Sequence, residues 1–250
     1  MANNFDKNWT TNNNNYPLND KEVERYISVK PSANQLALVD KPFYTFMHFG
    51  MNTATDREWG AGVEKATDFT IKSIDAKQWV ETAKSAGATG VILTCKHHDG
   101  FCLWPSEYTS FCVKNSSYKG DIVKEVSDEC HKQGMDFGVY LSPWDMHDER
   151  YGTDAYNDYF CNQLTELLTN YGEIFEVWFD GAKGSNAKKF EYDWQRYYDL
   201  IRKLQPKANI AICGPDIRWV GNEGGKSRKS EYSVVPVSYT HLRAHETCAD

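Results

Sequence analysis

HFGMNTATDREWGAG, residues 48–62, follows the first apolar run of the chain, and its reading separates two possible folds. The run it follows, FYTFMHFG (43–50), reads as a strand, and the next helical pattern does not begin until after Asp75. An open dinucleotide-binding sheet would turn here on G-x-G-x-x-G, whose backbone cradles a pyrophosphate at a helix N-terminus. This stretch is long and polar and lacks that fingerprint. A (β/α)8 barrel accepts it, because long loops after the strands are where barrels carry their chemistry.

Outward from this stretch one alternation repeats. DAKQWVETAKSAG sets Ala76, Trp79, Val80 and Ala83 at helical spacing, between an N-capping Asp75 and a stop at Gly87. GVILTC (90–95) reads as a second strand, and the next stripe, Ile122, Val123, Val126 and Cys130, ends at Gly134. DFGVYLS (136–142) is a third strand. Behind it, residues 154–171 put Tyr156, Tyr159, Phe160, Leu164, Leu167 and Leu168 on one face. IFEVWFD (174–180), a helix over 188–204 and NIAIC (209–213) complete the visible pattern. Strand starts 35 to 47 residues apart with a helix in each interval are the signature of parallel βαβ units. The expectation is an α/β chain, a TIM-type (β/α)8 barrel of which five or six βα units are present.

In such a barrel the catalytic groups stand at the carboxyl ends of the strands. These ends carry His48; His97, His98 and Asp99 in CKHHDGF; Tyr140 with SPWD after it; Asp180; and Asp216, Arg218 and Trp219 in CGPDIRW. Side-chain alternation sets Ile174, Glu176, Trp178 and Asp180 on one face of the fourth strand, with Phe175, Val177 and Phe179 facing the helices. Asp180 then points into the barrel mouth with Trp178 one layer beneath. An Asp before Gly181 would by itself suit a turn. The same alternation sends His97 and His98 to opposite faces, which argues against a shared metal ion, and no metal or other cofactor is expected. A metal-dependent hydrolase using these histidines is the rival that loss of activity with a chelator would reveal.

The chain has 250 residues, 40% hydrophobic, enough for a substantial core. A formal charge of −7 argues against a nucleic-acid partner, and no run of 18 apolar residues suggests a membrane span. A neutral polar ligand fits better. Seven cysteines form no C-x-x-C pair and read as reduced packing residues. The Asn-rich start lacks a signal-peptide core, so the expected location is cytoplasmic, or secreted or periplasmic if the true N-terminus is missing. Residues 1–20 read as a disordered lead-in, 21–237 as the barrel domain, truncated, and 238–250 as a non-native tail resembling translated adapter DNA. Its H-x-x-x-H is not read as a zinc site. Oligomeric state is not legible.

The motifs FMHFGMNT, REWG, TCKHHDGF, FGVYLSPWD, EVWFDGAKG and GPDIRWVGNE, in this order, resemble the α-L-fucosidases of glycoside hydrolase family 29 over about residues 40–237. PDIRWVGNE further resembles the subgroup that prefers α-1,3- or α-1,4-linked fucose. The resemblance implies a retaining exo-enzyme acting on fucosylated oligosaccharides, with Asp180 as nucleophile and Glu223 as acid/base. A retaining pair needs its carboxyls about 5 to 5.5 Å apart. His48, His97 and His98 resemble the family's hydroxyl-binding histidines, and Glu58 with Trp59 its Glu-Trp pair. Tyr140 and Trp178 are expected to line the pocket, and Arg218 to orient a carboxylate. The alternative is an inactive or fucose-binding fragment of such an enzyme.

Overall fold

The structure is a computed structural model that describes residues 19–28, 30–41, 43–184 and 190–217. Two helices, α1 (Asp20–Ile27) and α2 (Ala33–Val39), precede β1 (Thr45–Met47) and the short α3 (Met51–Thr55). Then follow α4 (Ala76–Ser85), β2 (Gly90–Lys96), α5 (Ile122–Lys132), β3 (Asp136–Leu141), α6 (Ala155–Asn170), β4 (Ile174–Phe179), α7 (Trp194–Leu204) and β5 (Asn209–Ile212). All but the last two residues of the expected lead-in, and all of the expected tail, lie outside the described residues.

The five strands form one parallel sheet in the order β1-β2-β3-β4-β5. A doubly wound sheet reverses its strand order at a switch point, and this one never does. The chain is therefore α/β and singly wound, the order a (β/α) barrel uses along its arc. Local chemistry sets the helix limits, and α7 starts at Trp194, later than the expected 188. The carboxylates of Asp75, Asp121 and Asp193 accept the backbone N–H groups of Gln78, Lys124 and Arg196 at the starts of α4, α5 and α7. Gly87 and Gly134 take left-handed backbone just past α4 and α5.

Two apolar clusters lie on the two faces of the sheet. The larger joins Val91, Leu93, Phe137, Val139, Leu141, Val177 and Phe179 to the helix faces of α4 to α7. The smaller, Ile92, Tyr140 and Phe175 with Leu38, Tyr44 and Trp178, lies on the opposite, inner face. The sequence alternation fails at the start of β4. Phe137 pairs with Ile174 but Val139 pairs with Val177, so β4 carries one extra residue. Ile174 consequently joins the helix-side core and Phe175 the inner cluster, the reverse of the expectation. Gly138 makes room for this: a Cβ there would lie 2.9 Å from a Phe175 ring carbon. Past the bulge the expected phase holds, and Asp180 follows Trp178 on the inner side.

A second bulge lies in β2. Thr94 pairs with Tyr140 but Lys96 with Leu141. The extra residue directs Lys96 to the helix side, where its Nζ lies 3.1 Å from Asp145 Oδ2, 3.0 Å from Gln163 Oε1 and 3.3 Å from the Tyr156 hydroxyl. Both charged side chains are fully enclosed. An ion pair without water costs desolvation and persists only when its remaining hydrogen-bonding capacity is filled. Asp145 meets that condition, since its Oδ1 accepts the N–H groups of His147 and Asp148.

Candidate active site

The carboxyl ends of β1 to β4 converge on Asp180. Its Oδ1 accepts the N–H of Ala182 at 2.8 Å and its Oδ2 accepts the Tyr140 hydroxyl at 2.9 Å. Its side chain is 20% exposed, and His98 Nε2 lies 3.8 Å from Oδ2. Tyr140 is itself enclosed and stacks on Trp178 with ring centres 5.2 Å apart. Tyr140 and Ala182 thus fix the carboxylate, which keeps part of its surface exposed.

His97 and His98 do not part to opposite faces. Their rings lie 4.1 Å apart, because β2 ends at Lys96 and alternation ends with it. The two histidines begin a turn closed by Gly100 N–H donating to the His97 carbonyl. Gly100 has φ +87°, and a Cβ there would meet Asp145 Oδ1 at 2.4 Å, so only glycine fits. His48 approaches from β1 with its ring 4.6 Å from His97, edge to face. Alternation therefore does not part the two imidazoles, contrary to the expectation. Among the described residues no group of three His, Cys, Asp or Glu side chains is arranged to hold a metal.

Burial makes these imidazoles neutral. Enclosure first, and the neighbouring His98 and His48 second, push His97 down to about 3. Enclosure with His48 and Lys96 does the same to His98, also to about 3. His48 is lowered by burial too, with Asp180 opposing. Neutral rings each keep one donor and one acceptor, which suits hydroxyl groups better than anions.

Trp59 stands 52% exposed at the rim, its ring 5.7 Å from Trp144 and 5.9 Å from His98. Its loop docks through Gly60, where a Cβ would fall 2.6 Å from Asp99 Cβ. Glu58 is exposed on the same loop, and its tie to the site runs through its backbone oxygen, which accepts from Asn52. Asp99 is enclosed with Oδ2 unpartnered, and burial pushes its carboxyl up to about 7. Asp216 is not at the ligand side. Its carboxylate pairs with Arg202 of α7 and accepts the N–H of Ile210, closing the turn after β5. Arg218 and Glu223 lie outside the described residues.

Sequence reasoning missed Asn52 and Ser142. Asn52 Nδ2 lies 3.1 Å from His97 Nδ1, and Ser142 Oγ 2.7 Å from His98 Nδ1. It also missed the Lys96–Asp145 brace under the loop that carries Ser142 and Trp144. A usable signal existed, since Lys96 is as anomalous in its apolar strand as Asp180 is in its own.

A carboxylate, neutral imidazoles and aromatic faces gathered at the carboxyl ends of parallel strands define an α/β protein whose site suits a neutral, hydroxylated ligand. Comparison with known proteins narrows the class. The sequence profile of the alpha-L-fucosidase family matches residues 44–248, a span that runs past Val237. The chain belongs to the alpha-L-fucosidase family. It is 48% identical over 209 residues to Alpha-L-fucosidase 1 of Arabidopsis thaliana, covering 82% of this chain and 41% of that protein. A glycoside hydrolase 29 family member from an unknown rumen bacterium is 45% identical, with a TM-score of 0.75 over 84% of this chain and 42% of that one. A Ruminococcus gnavus fucosidase of the same family, solved in complex with fucose, is 37% identical, with a TM-score of 0.75 over 85% of this chain and 50% of its own. The chain spans half or less of the length of each of these relatives.

Proposed function

We propose that the chain carries the nucleophile half of a retaining exo-α-L-fucosidase that removes terminal α-linked L-fucose from oligosaccharides or glycoconjugates. In the first displacement Asp180 Oδ attacks the anomeric carbon as the bond to the leaving oxygen breaks, and an acid delivers a proton to that oxygen. In the second, the same group, now a base, takes a proton from water as the water oxygen displaces Asp180. Glu223 is the acid/base in this reading, following the G-N-E motif. The observation that carries the proposal is the Asp180 carboxylate, anchored by Tyr140 and Ala182 beside three histidines that burial keeps from charging.

The same reading assigns His48, His97 and His98 to the sugar hydroxyls. Trp178, Tyr140 and Trp59 supply aromatic surface that favours the fucose methyl group through apolar contact. Closure into an eight-stranded barrel, a catalytic domain over residues 21–237 and a carboxylate-orienting Arg218 belong to it as well. No helix among the described residues is long and apolar enough to cross a membrane. Cys95, Cys102, Cys112, Cys130 and Cys161 are buried free thiols, as suits a reducing compartment such as the cytoplasm.

The test is release of the aryl alcohol from an aryl α-L-fucoside by the parent chain and by Asp180→Asn. Turnover abolished by this near-isosteric change, with the fold intact by circular dichroism, supports the proposal. Stabilisation by L-fucose without turnover in the parent chain would instead mark a binding fragment.

A further inference from the structure

The two adjacent histidines differ in what holds their Nδ1 atoms. The Ser142 hydroxyl donates to the Trp144 carbonyl at 2.7 Å, a group that can only accept. With its single proton spent there, Ser142 Oγ, 2.7 Å from His98 Nδ1, has only a lone pair to offer. His98 Nδ1 must then carry the proton. The reverse arrangement would press two bare oxygens, Ser142 Oγ and the Trp144 carbonyl, together at 2.7 Å without a hydrogen between them. At His97 the polarity is opposite. Asn52 Nδ2 donates to the Glu58 carbonyl at 3.3 Å and reaches His97 Nδ1 at 3.1 Å, so that nitrogen is bare. Flipping the amide would set Asn52 Oδ1 against the Glu58 oxygen and exchange two bonds for one.

We propose that Asn52 and Ser142 lock His97 and His98 in opposite neutral tautomers, so that the pair offers a ligand one Nε2–H donor, from His97, and one bare Nε2 acceptor, from His98. Asn52 and Ser142 are positioning residues in this scheme. A bare His98 Nε2 also explains its 3.8 Å separation from Asp180 Oδ2. Both atoms are acceptors, each repels the other's lone pair, and a hydroxyl from the ligand supplies the missing proton to one of them. Two hydroxyls on neighbouring carbons, one accepting from His97 and one donating to His98, are the matching ligand chemistry. That last step rests on the fucoside reading, whereas the tautomers do not.

The experiment is long-range nitrogen–proton NMR on the full chain labelled with 15N-histidine, with Ser142→Ala and Ser142→Thr beside it. At neutral pH the bare nitrogen is expected at Nδ1 for His97 and at Nε2 for His98. Ser142→Ala should move His98 toward the Nε2–H form and leave His97 unchanged. It should also weaken L-fucose binding about tenfold, with Ser142→Thr restoring both properties. Identical tautomers at the two positions, a doubly protonated ring at pH 7, or an unchanged His98 in a folded Ser142→Ala chain would overturn the proposal. Opposite tautomers in a chain that does not bind L-fucose would uphold the tautomer assignment and count against the fucoside reading.

Discussion

Replacing Lys96 by Met keeps most of the packed stem and removes the charge from beneath the β3–α6 loop. Asp145 is then an enclosed carboxylate without its ion-pair partner, and Gln163 Oε1 and the Tyr156 hydroxyl each lose a partner. Breaking one side of a buried pair costs about 3–5 kcal/mol, mostly from the charge left behind. Surface screening offers no discount, since both side chains are fully enclosed. The ammonium also sits 5.4–5.7 Å from the ring centres of Tyr156, Tyr159 and Phe160, contacts that Met keeps only as dispersion. Asp145→Asn should cost about as much, leaving Lys96 uncompensated. The double variant removes both charges and should be cheaper than the sum of the singles by about 2 kcal/mol or more. Against a total stability of about 5–15 kcal/mol these are large fractions, readable by urea denaturation with the m-value checked for constancy. Single costs below about 1 kcal/mol, or strict additivity in the double variant, would refute the buried pair. They would also refute its role in bracing Ser142 and Trp144.

Tyr140→Phe deletes one of two donors to Asp180 while keeping the ring stacked on Trp178, so turnover of an aryl fucoside should fall about tenfold or more with little loss of stability. Gly60→Ala places a Cβ 2.6 Å from Asp99 Cβ, which must lift the Trp59 loop. Weaker L-fucose binding and altered tryptophan fluorescence, with near-parental stability, are the expected readouts. His97 and His98, lowered in the folded chain to about 3 from 6.5, contribute stability that is complete above about pH 6.5 and is lost as pH falls toward 3. Asp99 and Glu176, raised by burial to about 7, contribute stability that is complete below about pH 4 and is lost as pH rises toward 7. Each group is worth about 1.4 kcal/mol per pH unit, so between about pH 4.5 and 6.5 these two pairs oppose each other and together leave a plateau, to which the lowered His48 and the raised Asp121 add opposite slopes. A Glu176→Gln variant should tilt that plateau toward greater stability at the higher pH, and a plateau as flat as the parent's would argue against the neutral buried acid.

Strand and helix order, the capping Asp75, the stop glycines Gly87 and Gly134 and the inward position of Asp180 were legible in the sequence. They depend on local periodicity and on short-range turn chemistry, which a linear pattern records. The family motifs pointed to the same carboxylate for the same reason: a charged residue ending an apolar strand is visible without coordinates. Tertiary structure decided what local period cannot encode. One inserted residue at the start of β4 moved Ile174 to the helices and Phe175 inward, and one in β2 sent Lys96 away from the site. A bulge is a property of two strands paired together, and neither strand shows it alone. The nearness of His97 to His98 and the partners that fix their protons also required the fold. They depend on where β2 ends and on side chains 45 and 44 residues away in sequence, Asn52 and Ser142.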